Sequence, residues 1–379
     1  APPSARNRAS RPVLLCGAPH RRASLCARRY RALLGGTRRD VERAVQMQFP
    51  FLPAGCNMSL DEKATEIVLR SLREAIPSRW RAKVDELRSL RRERPGISLG
   101  EYLDETGLDL EDIYANSHSW SELVESAGGT VLSTGPNERV LRRAIGRLLH
   151  VDDAERIATY RRLLANERPQ VVALAERTRR LLHMLVSSLA DQALARDMSL
   201  QDAADLVWSH PQEIAELGEL FGVLAGRIDH PHDRLTTHPD APLQIHARYS
   251  RIEILAAMGL AGDQAKIAAS QSGVYEAKPA NADLFAFTLD NAISRTLIHW
   301  ESQSITREDS PTGLRYRHHE LDGRTILLFT RLRADDRAFW FLGPATYRGH
   351  VGEKPMAITW ELDVPLPGDL YAAFAAAVA

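Results

Sequence analysis

The sequence predicts an α+β fold, with a multi-helix domain on the N-terminal side and a curled β-sheet or open barrel on the C-terminal side. Between residues 57 and 228, apolar residues recur at the three-and-four spacing of amphipathic helices. Residues 229–242, rich in proline and histidine, interrupt this pattern. Beyond them, short apolar runs alternate with turn residues, as strands do. We therefore expect an N-terminal edge at 1–56, helices at 57–228, a linker at 229–242 and a β-rich domain at 243–379.

The composition is typical of a folded chain without a membrane anchor. Of its 379 residues, 44% are hydrophobic, yet no apolar run approaches the roughly 18 residues that a membrane-spanning helix requires. The three cysteines, Cys16, Cys26 and Cys56, are odd in number and far apart, which favours a reducing compartment and disfavours a cysteine-bound metal. We expect a cytoplasmic protein that needs no metal and no cofactor.

The charge is balanced in total but unevenly distributed. The first fifty residues hold eleven arginines against Asp40 and Glu42, so the remainder is net acidic. A nucleic-acid-binding surface must therefore be a local patch. The arginine bias of residues 1–27 could come from a mitochondrial-type presequence, although we favour the truncated or frame-shifted edge of a longer gene.

Capping signals position the first helices. Ser59 with Glu62, Ser98 with Glu101, and Ser119 with Glu122 have the spacing of a capping box. The short helices between residues 98 and 126 allow a helix-turn-helix or a plain helical connector. We favour the connector, because the candidate recognition helix after Ser119 carries Glu122 and Glu125 and no basic residue.

Further helices are predicted at 140–149, 154–164, 171–189, 200–207 and 213–228. Their polar faces share a set of arginines: Arg142, Arg143, Arg147, Arg161, Arg162, Arg177, Arg179 and Arg180. An ion-paired, solvated face is the simpler interpretation, and phosphate contact is the more specific one. The linker histidines, His230, His232 and His238, lack the helix or strand that would hold a metal site.

The β-rich part begins with a short helix at 252–258. Strands are predicted at 274–275, 284–289, 293–300, 325–331, 340–343 and 357–363, followed by a closing helix at 368–379. Between them, Ser310-Pro311-Thr312-Gly313 is interpreted as the turn of a hairpin whose second arm runs from Arg315 to Thr330. We expect 310–316 to form an exposed rim of the sheet.

Several enzyme classes are excluded because their motifs are absent from the sequence. It contains no GxxxxGK[ST], no HExxH, no GxSxG and no HxK followed by an aspartate. The remaining candidates are His318, His319 and Glu320, which a strand would place partly on one surface with Tyr316, and a Ser310–His299 pair. Both are weak, and we predict a protein that is not an enzyme.

Five ordered motifs carry a family likeness: 249–255 (YSRIEIL), 300–304 (WESQS), 310–316 (SPTGLRY), 341–344 (FLGP) and 354–360 (KPMAITW). They resemble the C-terminal domain of unknown function of bacterial superfamily-two helicases, often found behind a phospholipase-D-type nuclease. Relatives of this architecture include modification-dependent Type IV restriction enzymes. The resemblance implies an SRA-like target-recognition domain that senses modified cytosine. Motor and nuclease motifs are missing from this chain, so translocation and cleavage do not transfer to it.

The residues and the resemblance together predict a DNA-binding site that takes up a base turned out of the duplex. Tyr249, Trp300 and Tyr316 would stack on bases, and Ser302, Gln303, Ser310 and Thr312 would hydrogen-bond base or phosphate. Arg251, Lys278, Arg315 and Arg317 would contact phosphates. Core packing is the competing interpretation of the aromatic residues. We expect Tyr316→Ala and Arg315→Ala to weaken duplex binding while barely changing the melting temperature.

The expected partners are double-stranded DNA, including cytosine-modified DNA, and a nuclease or helicase. A scaffold that docks such a protein without touching nucleic acid is the main alternative. A small nuclease built on His318, His319 and Glu320 is the third hypothesis.

Overall fold

A computed structural model describes residues 79–132, 135–190, 198–228, 232–260, 273–289, 291–292 and 294–378. The predicted N-terminal edge, the Ser59 capping box, the three cysteines and His230 lie outside these residues. The described residues divide into two compact units, one made of residues 79–97 with Glu101–Asp109 and the other of Ser98–Gly100 with the described residues from Leu110 onward. The division inferred from the sequence, with a linker at 229–242, stays a prediction.

Helices dominate the described chain before residue 228. They are α1 (Trp80–Glu93), α2 (Leu99–Thr106), α3 (Leu110–Tyr114), α4 (Trp120–Ser126), α5 (Glu138–Ile145), α6 (Ala154–Leu164), α7 (Glu176–Leu189), α8 (Leu200–Trp208) and α9 (Pro211–Ala225). Capping and proline signals in the sequence explain where α4 and α9 begin. The Ser119 side chain accepts a hydrogen bond from the Glu122 amide at 3.1 Å, and Pro211 occupies the first turn of α9.

The C-terminal part is organised around a mixed sheet. Its strands are β3 (Arg248–Ser250), β4 (Val274–Ala277), β5 (Ala282–Thr288), β6 (Asn291–Ala292), β7 (Leu297–Glu301), β8 (Thr325–Arg331), β9 (Ala338–Val351) and β10 (Ala357–Leu362). A separate two-stranded ribbon joins β1 (Asp233–Arg234) to β2 (Gln244–Ile245). Helices α10 (Arg251–Ala257), α11 (Pro311–Arg317) and α12 (Gly368–Val378) accompany the sheet.

The sheet is open, with strand order β4-β5-β8-β9-β10-β7-β6 and β3 paired to β9. The β5–β8 pair is parallel, and the other described pairs of this sheet are antiparallel. The predicted α+β class, with helices before an open sheet, is confirmed. None of the described helices has the length and apolar character needed to cross a bilayer.

One face of the sheet buries an aromatic core. Phe285 of β5 lies 4.6 Å from the Trp300 ring and 5.5 Å from the Trp360 ring. Tyr316 of α11 and Phe374 of α12, both fully buried, belong to the same cluster. Burial of large rings supplies much of the apolar area that stabilises such a core, which explains why this short α11 is held against the sheet.

The predicted hairpin turn at Ser310–Gly313 is wrong. Ser310 is instead the N-cap of α11, with Pro311 at the first helical position. Serine followed by proline is as typical of a helix start as of a turn, so the local signal was ambiguous. The predicted strand arm from Arg315 is likewise helix and turn as far as Arg324, and regular pairing begins at Thr325.

Candidate functional site

A concavity beside α11 collects four of the eight predicted polar residues. It has a volume of about 320 Å³. We call it the α11 recess, and it is lined by Val274, Gln303, Ile305, Thr306, Ser310, Thr312, Arg315 and Tyr316. Five of these residues were predicted from the sequence to form the site: Gln303, Ser310, Thr312, Arg315 and Tyr316.

The start of α11 fixes one wall of the recess. The Ser310 hydroxyl accepts from the Gly313 amide at 3.1 Å and donates to the Arg307 carbonyl at 2.7 Å. Gly313 is required here because a Cβ atom would overlap the Arg307 carbonyl oxygen. Ser310 therefore acts as a cap, and Thr312, two residues further on, lines the recess.

The Gln303 carboxamide is held in one orientation. Its Oε1 accepts hydrogen bonds from the Tyr316 hydroxyl and from the Thr306 hydroxyl, each at 3.2 Å. These two bonds orient the amide. Its Nε2 donates to none of the described residues and therefore keeps two hydrogens for a ligand. Gln303 is thus a positioned donor at the wall of the recess.

Arg315 belongs to a charge cluster around the buried Asp283 carboxylate. Its guanidinium lies 3.2 Å from the Asp283 carboxylate and 3.7 Å from that of Glu276. Arg324 approaches the same two acids at 3.7 and 3.3 Å. Asp283 is fully buried, and its oxygens make no hydrogen bond of good geometry within the described chain. Burial raises its pKa to about 6, although both arginines oppose the shift.

The recess and its supporting strands lie within a recognisable domain. Residues 243–374 match the family model of a domain of unknown function, DUF3427. These residues form a DUF3427 domain. A search of curated proteins finds no match to the chain. The expected resemblance to a C-terminal domain of unknown function is therefore confirmed, whereas its association with a helicase stays a prediction.

The aromatic residues expected to stack on bases lie in the interior of the DUF3427 domain. Tyr316 and Tyr249 are fully buried, and Trp300 is 6% exposed. The Tyr316 ring packs 5.1 Å from Phe285, and only its hydroxyl serves the recess through Gln303. The Arg156 guanidinium lies over the Tyr249 ring, 4.4 Å from the ring centre. The expectation of an exposed aromatic rim at 310–316 is wrong, because the rings fill the core.

The other predicted residues are dispersed. Ser302 is buried, and its hydroxyl accepts from the Met356 amide at 2.9 Å. Lys278 is exposed, 4.0 Å from Glu276, and Arg317 lies 3.4 Å from Glu308. Arg251 lines a different cavity together with Arg147 and Arg337. The structure thus brings Gln303 together with α11 residues and separates Tyr249 and Arg251 from them. Ser302 is next to Gln303 but is buried and does not line the recess.

The third hypothesis, a histidine-based nuclease, assumed a strand at residues 318–320. His318 is instead the C-cap of α11. His319 is buried between the Tyr347 amide, at 3.1 Å, and the Arg324 carbonyl, at 3.1 Å, so it fastens a turn to β9. Within the described ranges, no cluster of three metal-ligating side chains occurs.

The sequence reasoning missed Asp283, Glu276 and Arg324 behind the recess and Val274 and Ile305 at its walls. Asp283 could have been found, because it is the one charge in the apolar run Ala282–Phe287. A charge within such a strand is expected to be paired or functional. Ile305 carried no comparable signal, since its 82% exposure depends on the tertiary structure.

Proposed function

We propose that the DUF3427 domain binds double-stranded DNA and takes up one extruded base, with modified cytosine as its target, in the α11 recess. The observation that supports this most is the convergence of Gln303, Thr312 and Arg315 on one cavity with apolar walls. The chain would contribute recognition and no catalysis. A helicase or nuclease partner, expected from the family resemblance, would act on the bound DNA.

The polar side of the recess has the chemistry that reading a base edge requires. A flipped base is recognised by hydrogen bonds to its pairing edge. The two Nε2 hydrogens of Gln303 match ring and carbonyl acceptors, and the Thr312 hydroxyl can donate or accept. Because Tyr316 and Thr306 fix the amide, little side-chain entropy is lost on binding.

The apolar side chains of the recess would flank a bound base, a role that the sequence analysis had assigned to aromatic rings. Val274 and Ile305 line it, and Ile305 is 82% exposed. Bases held in such pockets are flanked by aromatic or apolar side chains. An apolar wall beside hydrogen-bonding groups also suits a methylated pyrimidine, whose methyl group makes favourable apolar contacts.

Binding of the whole chain to matched duplexes tests the proposal. Fluorescence titrations compare a duplex containing 5-methylcytosine with the unmodified duplex at several salt concentrations. We expect tighter binding of the modified duplex and a steep loss with added salt, because phosphate contacts release counterions. Gln303→Ala should weaken binding to the modified duplex by about tenfold, in line with roughly 1–3 kcal/mol for a specific base contact.

Ser304→Ala is the matched control, since Ser304 is exposed, adjacent to Gln303 and outside the recess lining. Tyr316→Phe keeps the buried ring but removes the hydroxyl that orients Gln303, so it should lose part of the discrimination between the duplexes. If neither duplex binds at low salt, or if the Gln303 and Ser304 variants behave alike, the proposal is wrong.

A further inference from the structure

Four charged side chains, one of which lines the α11 recess, form a closed ring. Glu276 of β4 and Asp283 of β5 are paired directly across the two strands. The Arg315 guanidinium lies 3.2 Å from the Asp283 carboxylate and 3.7 Å from that of Glu276. The Arg324 guanidinium lies 3.7 Å and 3.3 Å from the same two carboxylates. We call these four residues the charge ring, and acids and arginines alternate around it. Lys278, which is exposed, lies 4.0 Å from Glu276.

The two acids of the charge ring need the arginines. Like charges directly opposite each other on neighbouring strands are destabilising. Asp283 is also fully buried, whereas the side chains of Glu276 and Arg315 are 29% and 26% exposed. Arg315 therefore contacts the buried acid and lines the recess as well.

The Asp283 carboxyl can change its charge without losing a hydrogen bond. Neither of its oxygens makes a hydrogen bond within the described chain, so the two arginines hold it by charge alone. Burial raises its pKa to about 6, Arg315 and Arg324 oppose this shift, and Glu276 adds to it. Tyr316 also faces this group, and burial raises the pKa of its hydroxyl, which therefore stays protonated over the same range.

We propose that Asp283 is a positioning residue for Arg315: the ionised carboxylate holds the guanidinium in the charge ring, and the protonated carboxyl group leaves it available to a DNA phosphate at the recess. This inference rests on the proposed function, in which Arg315 is one of the groups that meet the DNA. Guanidinium groups bind phosphate oxygens through charge and paired hydrogen bonds. A phosphate therefore competes with Asp283 for the same side chain.

Competition of this kind links DNA binding to proton uptake. A phosphate beside Arg315 brings a second negative charge near Asp283, which disfavours the ionised carboxylate and raises its pKa further. Binding therefore takes up a proton, and the affinity increases as the pH falls through about 6. Because such coupling is reciprocal, a neutral side chain at position 283 should give the high-affinity state at any pH.

The contact between Asp283 and Arg315 is tested first without DNA. Carbon-13 NMR of the full chain, labelled at the aspartate carboxyl carbons, follows the titration of Asp283, whose signal is assigned by its loss in Asp283→Asn. Arg315→Gln removes a charge that lowers the Asp283 pKa, so the midpoint should move to higher pH. Arg317→Gln is the control and should leave the midpoint unchanged, because Arg317 lies on the same helix but pairs with Glu308. An unchanged midpoint in Arg315→Gln would overturn the proposal.

DNA affinity is then measured at pH 5.0 and pH 7.5 with the duplex containing 5-methylcytosine. At pH 7.5, Asp283→Asn should bind about fivefold more tightly than wild type, at the lower end of typical coupling between two sites. At pH 5.0 the two proteins should bind alike, which also shows that the variant keeps its recess. Asp322→Asn removes the same charge from an exposed position in the turn before β8 and should follow wild type at both pH values.

Three results in the DNA titration contradict the assignment: equal gains for Asp283→Asn and Asp322→Asn, a pH dependence in Asp283→Asn that matches wild type, or weaker binding of Asp283→Asn at both pH values. The last of these reduces Asp283 to a purely structural role. If no duplex binds, the proposed function fails by itself, and the NMR titration still decides whether Asp283 controls Arg315.

Discussion

At the scale of single residues, the distinctive group is Asp283. It is fully buried on β5, and both Arg315 and Arg324 face it. The two guanidinium groups lie within ion-pairing distance but do not form hydrogen bonds of good geometry with it. Desolvation therefore outweighs pairing and raises the pKa of the Asp283 carboxyl, which contacts the recess residue Arg315.

The raised pKa makes Asp283 a source of pH-dependent stability. Between its ordinary value of 3.8 and the folded value of about 6, the folded protein keeps a proton that the unfolded chain releases. The stabilisation is complete below the lower value and is lost as the pH rises through the upper one. Asp283→Asn should reduce the change in unfolding free energy between pH 4 and pH 7 by roughly 3 kcal/mol at most. Urea unfolding at the two pH values would measure this change.

Asp322→Asn provides the comparison for this experiment, because Asp322 is exposed in the turn before β8. It should leave the pH profile as in wild type. A profile for Asp283→Asn that parallels wild type would show that the carboxyl group does not titrate in this range.

Burial also changes what can be expected of Tyr316. Truncating a buried aromatic residue to alanine costs about 3–5 kcal/mol, so Tyr316→Ala should lower the melting temperature substantially. The sequence-based expectation of an unchanged melting temperature assumed an exposed ring. Tyr316→Phe is the informative substitution, because it isolates the hydroxyl that holds Gln303.

At the scale of elements, the short helix α11 carries both structure and candidate function. Its buried face contributes Gly313 and Tyr316, and its other residues Thr312 and Arg315 line the recess. A seven-residue helix is too short to be stable alone, so its cap and its packing must hold it. The shape of the recess consequently depends on Ser310.

Loss of the cap should therefore affect stability and binding together. Ser310→Ala removes the acceptor for the Gly313 amide and should cost about 1 kcal/mol of unfolding free energy. Gly313→Ala should cost more, because its Cβ meets the Arg307 carbonyl. Chemical denaturation measures both, and Ser304→Ala, at an exposed position, should stay within about 0.5 kcal/mol. Equal stabilities for all three would contradict the capping role.

At the scale of the whole molecule, charged side chains connect the helices to the sheet within one compact unit. Arg156 of α6 is fully buried, 2.8 Å from Asp153 and 3.1 Å from Glu253 of α10, and it donates to the Arg248 carbonyl at 2.7 Å. Burial alone would raise the pKa of the Glu253 carboxyl, but His150 and Arg156 hold it at about 2. The same charged side chains therefore stabilise both the helices and the DUF3427 domain.

Removal of Arg156 should destabilise both parts together. Arg156→Ala leaves the buried Asp153 carboxylate without its guanidinium partner and Glu253 with His150 alone, and breaking a buried pair in this way costs about 3–5 kcal/mol. Unfolding followed by far-UV circular dichroism and by tryptophan fluorescence should shift to the same lower midpoint. Arg161→Ala, on the exposed face of the same helix, should change stability by less than about 0.5 kcal/mol. Separate transitions would show that the two parts unfold independently.

The contacts of the arginines in the helical region also depend on the tertiary structure. Arg142, Arg177, Arg179 and Arg180 form ion pairs with neighbouring glutamates, in agreement with the simpler interpretation of these faces. Folding also places Arg147 at one cavity with Arg251 and Arg337, which helical spacing could not show.

Elements with local signals could be predicted from the sequence. Capping at Ser119, the helix at 154–164 and the strand at 325–331 follow from spacing and propensity, and the structure has them at those positions. The folded structure was needed to show which rings are buried, that Ser310 caps a helix, and that Asp283 contacts Arg315. Burial and charge pairing depend on residues far apart in the chain, so no short window of sequence contains the information that sets them.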